Sequence, residues 1–143
     1  ECLDNNVNYI DWYELDPEIV ESCYRYLPTI CSKVKKSNTV NTFWGDAFES
    51  IKSVEDSKYD KIFVDLNDDQ YCIDLARKNM KSLKRILKPG GVITAQVGSK
   101  DKKPKQVKNW CNVLEKSFGN VKVSGVHIPS FDCNWNFASS IMK

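Results

Sequence analysis

Short apolar blocks recur along the chain and alternate with longer, more polar segments. Four of these blocks are rich in aromatic and β-branched residues, which favour strands; they lie at 7–15, 40–44, 62–64 and 92–97. The block at 62–64 has three consecutive apolar residues between polar neighbours, which is typical of a short, buried strand in a parallel sheet. The pattern therefore predicts strands at these four places.

The segments between the strands carry helical signals. Asp16 is suited to cap a helix and Pro17 to occupy its first turn, and an apolar stripe follows them. Apolar residues at helical spacing predict further helices at 47–54, 70–87 and 104–118. The polar run at 32–38 is predicted to be a connector.

The last two strand candidates, 121–128 and 136–142, have no helical pattern between them, so we expect an antiparallel pair at the sheet edge. The full order is then β-α-β-α-β-α-β-α-β-β. This order predicts an α/β fold with a mostly parallel sheet and helices on both faces. A length of 143 residues suits one core, so we predict a single domain over residues 1–143.

Charge and cysteine usage exclude several classes of protein. The formal net charge is only +2, which gives no reason to expect nucleic acid or a membrane surface as partner. No apolar run approaches the ~20 residues of a spanning helix, and no secretory leader is visible, so we expect a soluble chain. The six cysteines are scattered without a metal-binding spacing, which predicts reduced thiols, no metal site and a cytoplasmic protein.

The most informative stretch is residues 59–69, in which the strand at 62–64 runs directly into two acids, Asp65 and Asp68. In an open α/β sheet, ligands bind in the crevice beyond the carboxyl ends of the strands. We therefore expect both carboxylates to face a binding site, where two acids suit a cationic substrate.

The usual opening of such a fold is missing from this chain. A nucleotide-binding sheet begins with a strand and a glycine-rich turn, but no glycine precedes Gly45. Residues 1–3 look like the tail of a helix. We therefore expect that the chain starts one βα unit late.

Several short motifs together resemble one family, the polyamine aminopropyltransferases, of which spermidine synthase is a member. The resemblance implies the Rossmann-like catalytic domain of that family, a three-layer α/β sandwich of the class I S-adenosylmethionine-dependent transferase type. It covers nearly the whole chain in the right order. The motifs are Asp11-Trp12-Tyr13-Glu14-Leu15-Asp16-Pro17-Glu18, Tyr26-Leu27-Pro28, Gly45-Asp46-Ala47-Phe48, Val64-Asp65-Leu66-Asn67-Asp68, Leu87-Lys88-Pro89-Gly90-Gly91, Gln96-Val97-Gly98-Ser99 and Pro129-Ser130-Phe131 with Trp135.

The resemblance implies that the donor is decarboxylated S-adenosylmethionine, acting as a co-substrate rather than a permanent cofactor. Glu14 matches the family glutamate that accepts hydrogen bonds from both ribose hydroxyls, and Asp46 matches the acceptor of the adenine amino group, next to the Ala47 N–H. Leu15 and Asp65 complete the implied donor-binding set. From residue chemistry alone, two other interpretations stay open: Glu14 as a solvated acid at a strand end, and Asp46 as a helix N-cap.

The implied acceptor is a diamine such as putrescine. Its amine is protonated in water and has to lose a proton before it attacks the carbon beside the sulfonium, so we assign Asp65 as the base and expect it to be partly buried. Three residues of extended chain span ~10 Å, so Asp68 can hold the far ammonium. Phe131 stands where many members carry a tyrosine that borders the diamine, and offers an apolar wall. The alternative is a strand end with turn-forming acids.

This sequence also departs from the family pattern. The glycine-rich turn with its acid and the small N-terminal β domain, which carries much of the oligomer contact, do not appear, and Asp69 replaces a proline. The resemblance implies a homo-oligomer for the full-length protein. Two further hypotheses stay open: a methyltransferase that uses S-adenosylmethionine on the same fold, and a truncated, non-catalytic family member.

Overall fold

The computed structural model of the protein describes residues 2–5, 7–67 and 69–143. These residues group into two compact units, Glu1–Ser53 and Val54–Lys143. The single domain that the chain length predicts over residues 1–143 stays a prediction.

The first unit opens with a short 3-10 helix, Cys2–Asn5, and a strand, β1 (Ile10–Glu14), which begins three residues later than predicted. Helix α1 (Pro17–Tyr26) follows. The Asp16 carboxylate accepts the Glu18 N–H at 2.9 Å and Pro17 occupies the first turn, where its missing N–H leaves no hydrogen bond unmade. The predicted start of this helix is therefore confirmed.

A second helix, α2 (Pro28–Lys35), follows α1 directly. The connector predicted at 32–38 is therefore wrong over most of its length. Pro28 ends α1 but also starts α2, because proline is well suited to a first helical turn. The N–H groups of Ile30 and Cys31 both donate to the Leu27 carbonyl, and the polar residues that suggested a loop include several that lie on the exposed face of α2.

Strand β2 (Val40–Trp44) pairs in parallel with β1, as predicted for a strand–helix–strand unit. Helix α3 (Ala47–Ser50) and a 3-10 turn, Ile51–Ser53, close the unit in place of the single helix predicted at 47–54. The buried apolar side chains of this unit are Val20, Phe48 and Ile51.

The second unit is a four-stranded sheet with two helices. Its elements are β3 (Tyr59–Val64), α4 (Gln70–Ile86), β4 (Leu87–Gly98), α5 (Pro104–Phe118), β5 (Lys122–Ile128), a 3-10 turn (Pro129–Phe131) and β6 (Cys133–Ile141). The strand order is β3-β4-β6-β5. The pair β3–β4 is parallel, whereas β6 pairs antiparallel with both β4 and β5, which confirms the predicted antiparallel C-terminal pair.

Helix α4 makes the crossover between the parallel strands β3 and β4. Its predicted apolar stripe is confirmed, since Ile73, Ala76, Met80 and Leu83 are all buried. The helix gives way to β4 at Leu87, earlier than the predicted strand. At Gly91 an added Cβ would lie 2.8 Å from the Lys88 carbonyl oxygen and 3.0 Å from that of Asp60, so only glycine fits this close approach of the backbones.

Helix α5 supplies the centre of this core. Trp110 and Leu114 are fully buried, and Val107 and Phe118 lie on the same helical face. The helix packs against α4, β4 and β6. The buried apolar face predicted for residues 104–118 is therefore confirmed.

Strand β3 differs from the prediction of a fully buried strand. Val64 is buried, but the Phe63 side chain is 63% exposed. Among the described strands, β3 pairs only with β4 and so forms an edge of its sheet. Successive side chains of a strand point to opposite faces, and the burial of Val64 next to the exposed Phe63 means that only one face of β3 contributes to the core.

Candidate active site

In the first unit, the carboxyl ends of two neighbouring strands bring the predicted donor-binding residues to one edge. Strands β1 and β2 are parallel and in register, with Glu14 opposite Trp44. The Gly45 N–H donates to the Glu14 carbonyl at 2.9 Å, so the turn after β2 is held against the end of β1. Gly45 has φ +110°, a conformation that favours glycine. Glu14, Leu15, Asp46 and Ala47 therefore lie along the same edge.

The Glu14 side chain is held by its own turn. Its Oε1 accepts the backbone N–H of Asp16 at 3.0 Å, and the residue is half-buried. Leu15, next in the chain, is 73% exposed. An oriented carboxylate beside an exposed leucine offers an acceptor for hydroxyl groups and an apolar surface for a flat ring.

Asp46 caps α3. Its Oδ1 accepts the Phe48 N–H at 2.7 Å and the Glu49 N–H at 3.4 Å, which is the N-cap role that residue chemistry leaves open. Both described bonds use the same carboxylate oxygen. The adenine contact that the family resemblance implies stays a prediction, as does that of Ala47, which is half-buried in the first position of the helix.

In the second unit, Asp65 follows β3 directly and lies at the carboxyl end of that strand. The residue is exposed, so the partial burial expected of it is wrong. Among the described strands, β3 pairs only with β4, and Asp65 lies beyond the last residue of the strand, where no regular secondary structure follows. Asp68, the predicted partner for the far ammonium, lies outside the described residues.

Two residues without a predicted role, Gln96 and Trp135, connect to this strand end. The Gln96 side chain, on β4, donates from Nε2 to the carbonyl oxygen of Leu66, the residue after Asp65. The Oε1 of the same side chain accepts the Trp135 indole N–H at 2.5 Å. These partners are 30 and 39 residues from Gln96 in sequence. The available signals are that both residues stand in motifs of the family resemblance and that Gln96 lies near the end of the strand predicted at 92–97.

Phe131 lies in the same network. Its ring centroid is 4.7 Å from that of Trp135, with a 51° angle between the planes, and its side chain is 47% exposed. The Lys102 ammonium donates to the Phe131 carbonyl at 2.8 Å and so holds the turn that presents the ring. The structure therefore connects Phe131 to the loop of Asp65 through Trp135 and Gln96.

The cysteine nearest this loop is a poor nucleophile. Burial raises the pKa of the Cys72 thiol, and the Asp69 carboxylate raises it further. That carboxylate caps α4 by accepting the Cys72 backbone N–H at 2.8 Å. Since the thiolate is the reactive form, Cys72 stays an unreactive thiol at neutral pH.

The remaining cysteines do not change this description. All six are free thiols, as predicted: Cys133 is buried, Cys2 is exposed, and the other four are partly buried. Within residues 2–5, 7–67 and 69–143, no three His, Cys, Asp or Glu side chains are grouped so that they could hold a metal ion. None of the described helices has the length and apolar character needed to cross a bilayer.

A family profile and individual relatives of known sequence indicate the same family of proteins. The sequence profile of a family described as "Spermine/spermidine synthase domain" matches residues 3–143. A polyamine aminopropyltransferase of Prochlorococcus marinus (strain NATL2A) is 31% identical over 149 aligned positions, which cover 97% of this chain and 50% of that protein. One from Thermoplasma volcanium is 28% identical over 138 positions, covering 94% of this chain and 50% of that protein. The chain therefore spans about half the length of these curated relatives.

Two solved structures are similar in fold. A spermidine synthase from Thermotoga maritima aligns with a TM-score of 0.82 at 16% identity, over 96% of this chain and 46% of that one. A spermidine synthase in complex with the transition-state analogue AdoDATO aligns with a TM-score of 0.81 at 15% identity, over 97% and 46% of the two chains. This similarity confirms the predicted Rossmann-like α/β fold.

Proposed function

The chain belongs to the spermine/spermidine synthase family, and on this premise we propose that it is part of the catalytic domain of a polyamine aminopropyltransferase. The reaction transfers the aminopropyl group of decarboxylated S-adenosylmethionine to a diamine such as putrescine. The products are spermidine and methylthioadenosine. The observation that carries the proposal is the position of Asp65, an exposed carboxylate at the carboxyl end of β3.

Aminopropyl transfer requires a base for the amine and correct placement of the amine nitrogen against the carbon that it attacks. The neutral amine nitrogen attacks the aminopropyl carbon bonded to sulfur, the new N–C bond forms, and the C–S bond breaks. Its electron pair goes to the sulfonium, which becomes the neutral thioether of methylthioadenosine. The Asp65 carboxylate accepts the proton that the amine loses and passes it to water. We assign to Asp65 a contact with the donor as well.

Binding of the donor is assigned to the residues at the edge of the first unit. Glu14 accepts the ribose hydroxyls, and Asp46 with the Ala47 N–H holds the adenine. Leu15 lies beside them as an apolar contact. The support is that β1 and β2 end at the same edge and that Gly45 ties the two strand ends together.

Binding of the diamine is assigned to Asp68 and Phe131. Asp68 holds the far ammonium, and Phe131 lies along the methylene chain as an apolar wall. The support is the exposed ring of Phe131 and its connection through Trp135 to the loop of Asp65. A second acid next to the site suits a diamine, whereas it would repel the carboxylate of S-adenosylmethionine. This argument and the names of the relatives favour aminopropyl over methyl transfer.

We propose further that the whole protein is a cytoplasmic homo-oligomer. The free state of all six cysteines supports a reducing compartment. Cross-linking and size-exclusion chromatography of a chain extended at its N terminus would test the oligomeric state, and a single monomeric species would overturn it.

The test of the function measures product formation from decarboxylated S-adenosylmethionine and putrescine by chromatography of spermidine. It uses this chain and, in parallel, a chain extended at its N terminus. We expect Asp65→Asn to lower kcat by about 10²–10⁴-fold, which is the usual contribution of a general base. Asp60→Asn is the matched control, since Asp60 is an exposed acid of the same strand that pairs with Lys88 at the surface.

Two results would contradict the proposal. If neither chain binds methylthioadenosine or forms spermidine, the non-catalytic hypothesis is favoured. If the protein instead transfers a methyl group from S-adenosylmethionine, the methyltransferase hypothesis replaces ours. Activity that appears only in the extended chain supports the proposal and shows that residues preceding this sequence are required.

A further inference from the structure

We propose that Gln96 is a positioning residue, which fixes the loop of Asp65 by bridging its backbone to the Trp135 indole. The inference rests on the proposed function, because it concerns the placement of the base. Gln96 lies near the end of β4, next to Ala95, which is in register with the last residue of β3, Val64. The bridge therefore starts from a strand adjacent to the one that presents Asp65.

The two hydrogen-bond partners of Gln96 allow only one orientation of its amide group. An indole N–H only donates and a backbone carbonyl only accepts. The amide oxygen must therefore face Trp135 and the amide NH2 must face the Leu66 carbonyl, as the structure has them. A side chain of this reach that both donates and accepts is needed, so neither glutamate nor methionine can replace both bonds.

The hydrogen bond from Gln96 to the Leu66 carbonyl is the contact that holds the loop of Asp65. Residues 65–67 have no regular secondary structure, and Leu66 is bonded covalently to Asp65. A hydrogen bond to the Leu66 carbonyl fixes the peptide group between Leu66 and Asn67, so it limits the backbone rotations at Leu66, the residue that follows Asp65. It therefore holds the path of the chain directly after Asp65, on which the placement of the Asp65 carboxylate depends.

The Trp135 end connects the loop to the predicted wall of the diamine site. The Trp135 ring contacts Phe131, and Lys102 holds the Phe131 carbonyl. A single series of contacts thus runs from Phe131 through Trp135 and Gln96 to Leu66. We infer that this series sets the distance between the apolar wall and the base, which the diamine must span.

Loss of a positioning residue should change the rate more than the binding of the diamine. A misplacement of about 1 Å at a reacting group can cost about 10²-fold in rate. We therefore expect Gln96→Met and Gln96→Glu each to lower kcat by about 10- to 100-fold, with the KM for putrescine changed much less. A glutamate can still accept the indole N–H of Trp135 but cannot donate to the Leu66 carbonyl. Gln96→Glu therefore removes only the hydrogen bond to Leu66.

Trp135→Phe removes the other hydrogen bond, from the indole N–H to Gln96, and keeps an aromatic ring next to Phe131. If the bridge works as one unit, the double variant Gln96→Met/Trp135→Phe should lose no more than the worse single variant. Gln106→Met is the matched control. Gln106 is a half-buried glutamine of α5 whose Nε2 has no hydrogen-bond partner within the described residues.

A readout independent of activity is amide hydrogen exchange of residues 65–69, with α5 as the internal reference. For Gln96→Met and Gln96→Glu we expect faster exchange in this loop and unchanged exchange in α5. For Gln106→Met we expect wild-type exchange in the loop. Exchange in the loop tests the bridge even if the wild-type chain transfers no aminopropyl group, in which case the proposed function fails separately.

Two outcomes would overturn the inference. One is an active wild-type protein whose Gln96 variants keep both its kcat and its loop exchange. The other is a loss of kcat accompanied by faster exchange throughout α5 and a lowered Tm in the Gln96→Glu variant, since that pattern indicates a general structural role.

Discussion

Exchange of Glu14 for glutamine tests the donor-binding half of the proposal with a small structural change. The Oε1 of Glu14 accepts the Asp16 N–H at 3.0 Å, and the carbonyl oxygen of a glutamine can keep this bond. The group directed to the ligand then changes from a carboxylate oxygen, which accepts, to an NH2 group, which donates. The variant should lose an acceptor for a ribose hydroxyl while keeping the turn between β1 and α1.

The size of the effect follows from the charge of the acceptor. A hydrogen bond to a charged group contributes about 1.5–3 kcal/mol, so the Kd for methylthioadenosine should rise by about 10- to 150-fold. At about 100 times the wild-type Kd, the ligand stabilises the folded protein by about 2.7 kcal/mol. A Kd weakened about 30-fold lowers this stabilisation to about 0.9 kcal/mol at the same ligand concentration.

The measurement is titration calorimetry of methylthioadenosine, supported by the ligand-dependent shift in Tm. Glu18→Gln is the control, because it makes the same chemical change, with the loss of one negative charge, at an exposed acid in the first turn of α1. We expect wild-type affinity for the control. Equal affinity of Glu14→Gln and wild type would refute the reasoning, and so would an equal loss in both variants, which would indicate a general effect of charge.

Three further predictions concern the second unit. Leu114→Ala, in the fully buried centre of α5, should lower the free energy of unfolding by about 2–5 kcal/mol in urea titration, whereas a loss below about 1 kcal/mol would contradict the described core. Gln106→Met should raise the free energy of unfolding by about 1 kcal/mol, because the variant removes a buried amide nitrogen without a described hydrogen-bond partner. A destabilised variant would instead indicate that this nitrogen has a hydrogen-bond partner. The raised pKa of Cys72 means that the unfolded thiol ionises first as pH rises past 9.0. Stability should therefore fall above that pH by more in wild type than in Cys72→Ala, and an equal fall would contradict the shift.

Local sequence was sufficient for most elements of this protein. The start of α1 follows from Asp16 and Pro17, and the buried face of α4 follows from the spacing of Ile73, Ala76, Met80 and Leu83. These features depend on hydrogen bonds and side-chain contacts within about one or two helical turns, which the order of residues specifies directly. The same reasoning failed at Pro28, because a proline ends one helix and begins another with equal ease.

Only the tertiary structure decided which distant residues meet. Nothing in the spacing of Gln96, Trp135 and Leu66 indicates that one amide joins the other two, because β6 reaches β4 through a pairing that depends on the whole sheet. The exposure of Asp65 and Phe63 likewise depends on what packs around β3, which the apolar run at 62–64 does not specify. Sequence thus determined the elements and the chemistry at their ends, since those are local properties. The contacts that orient this chemistry were decided by strand order, since pairing joins segments far apart in the chain.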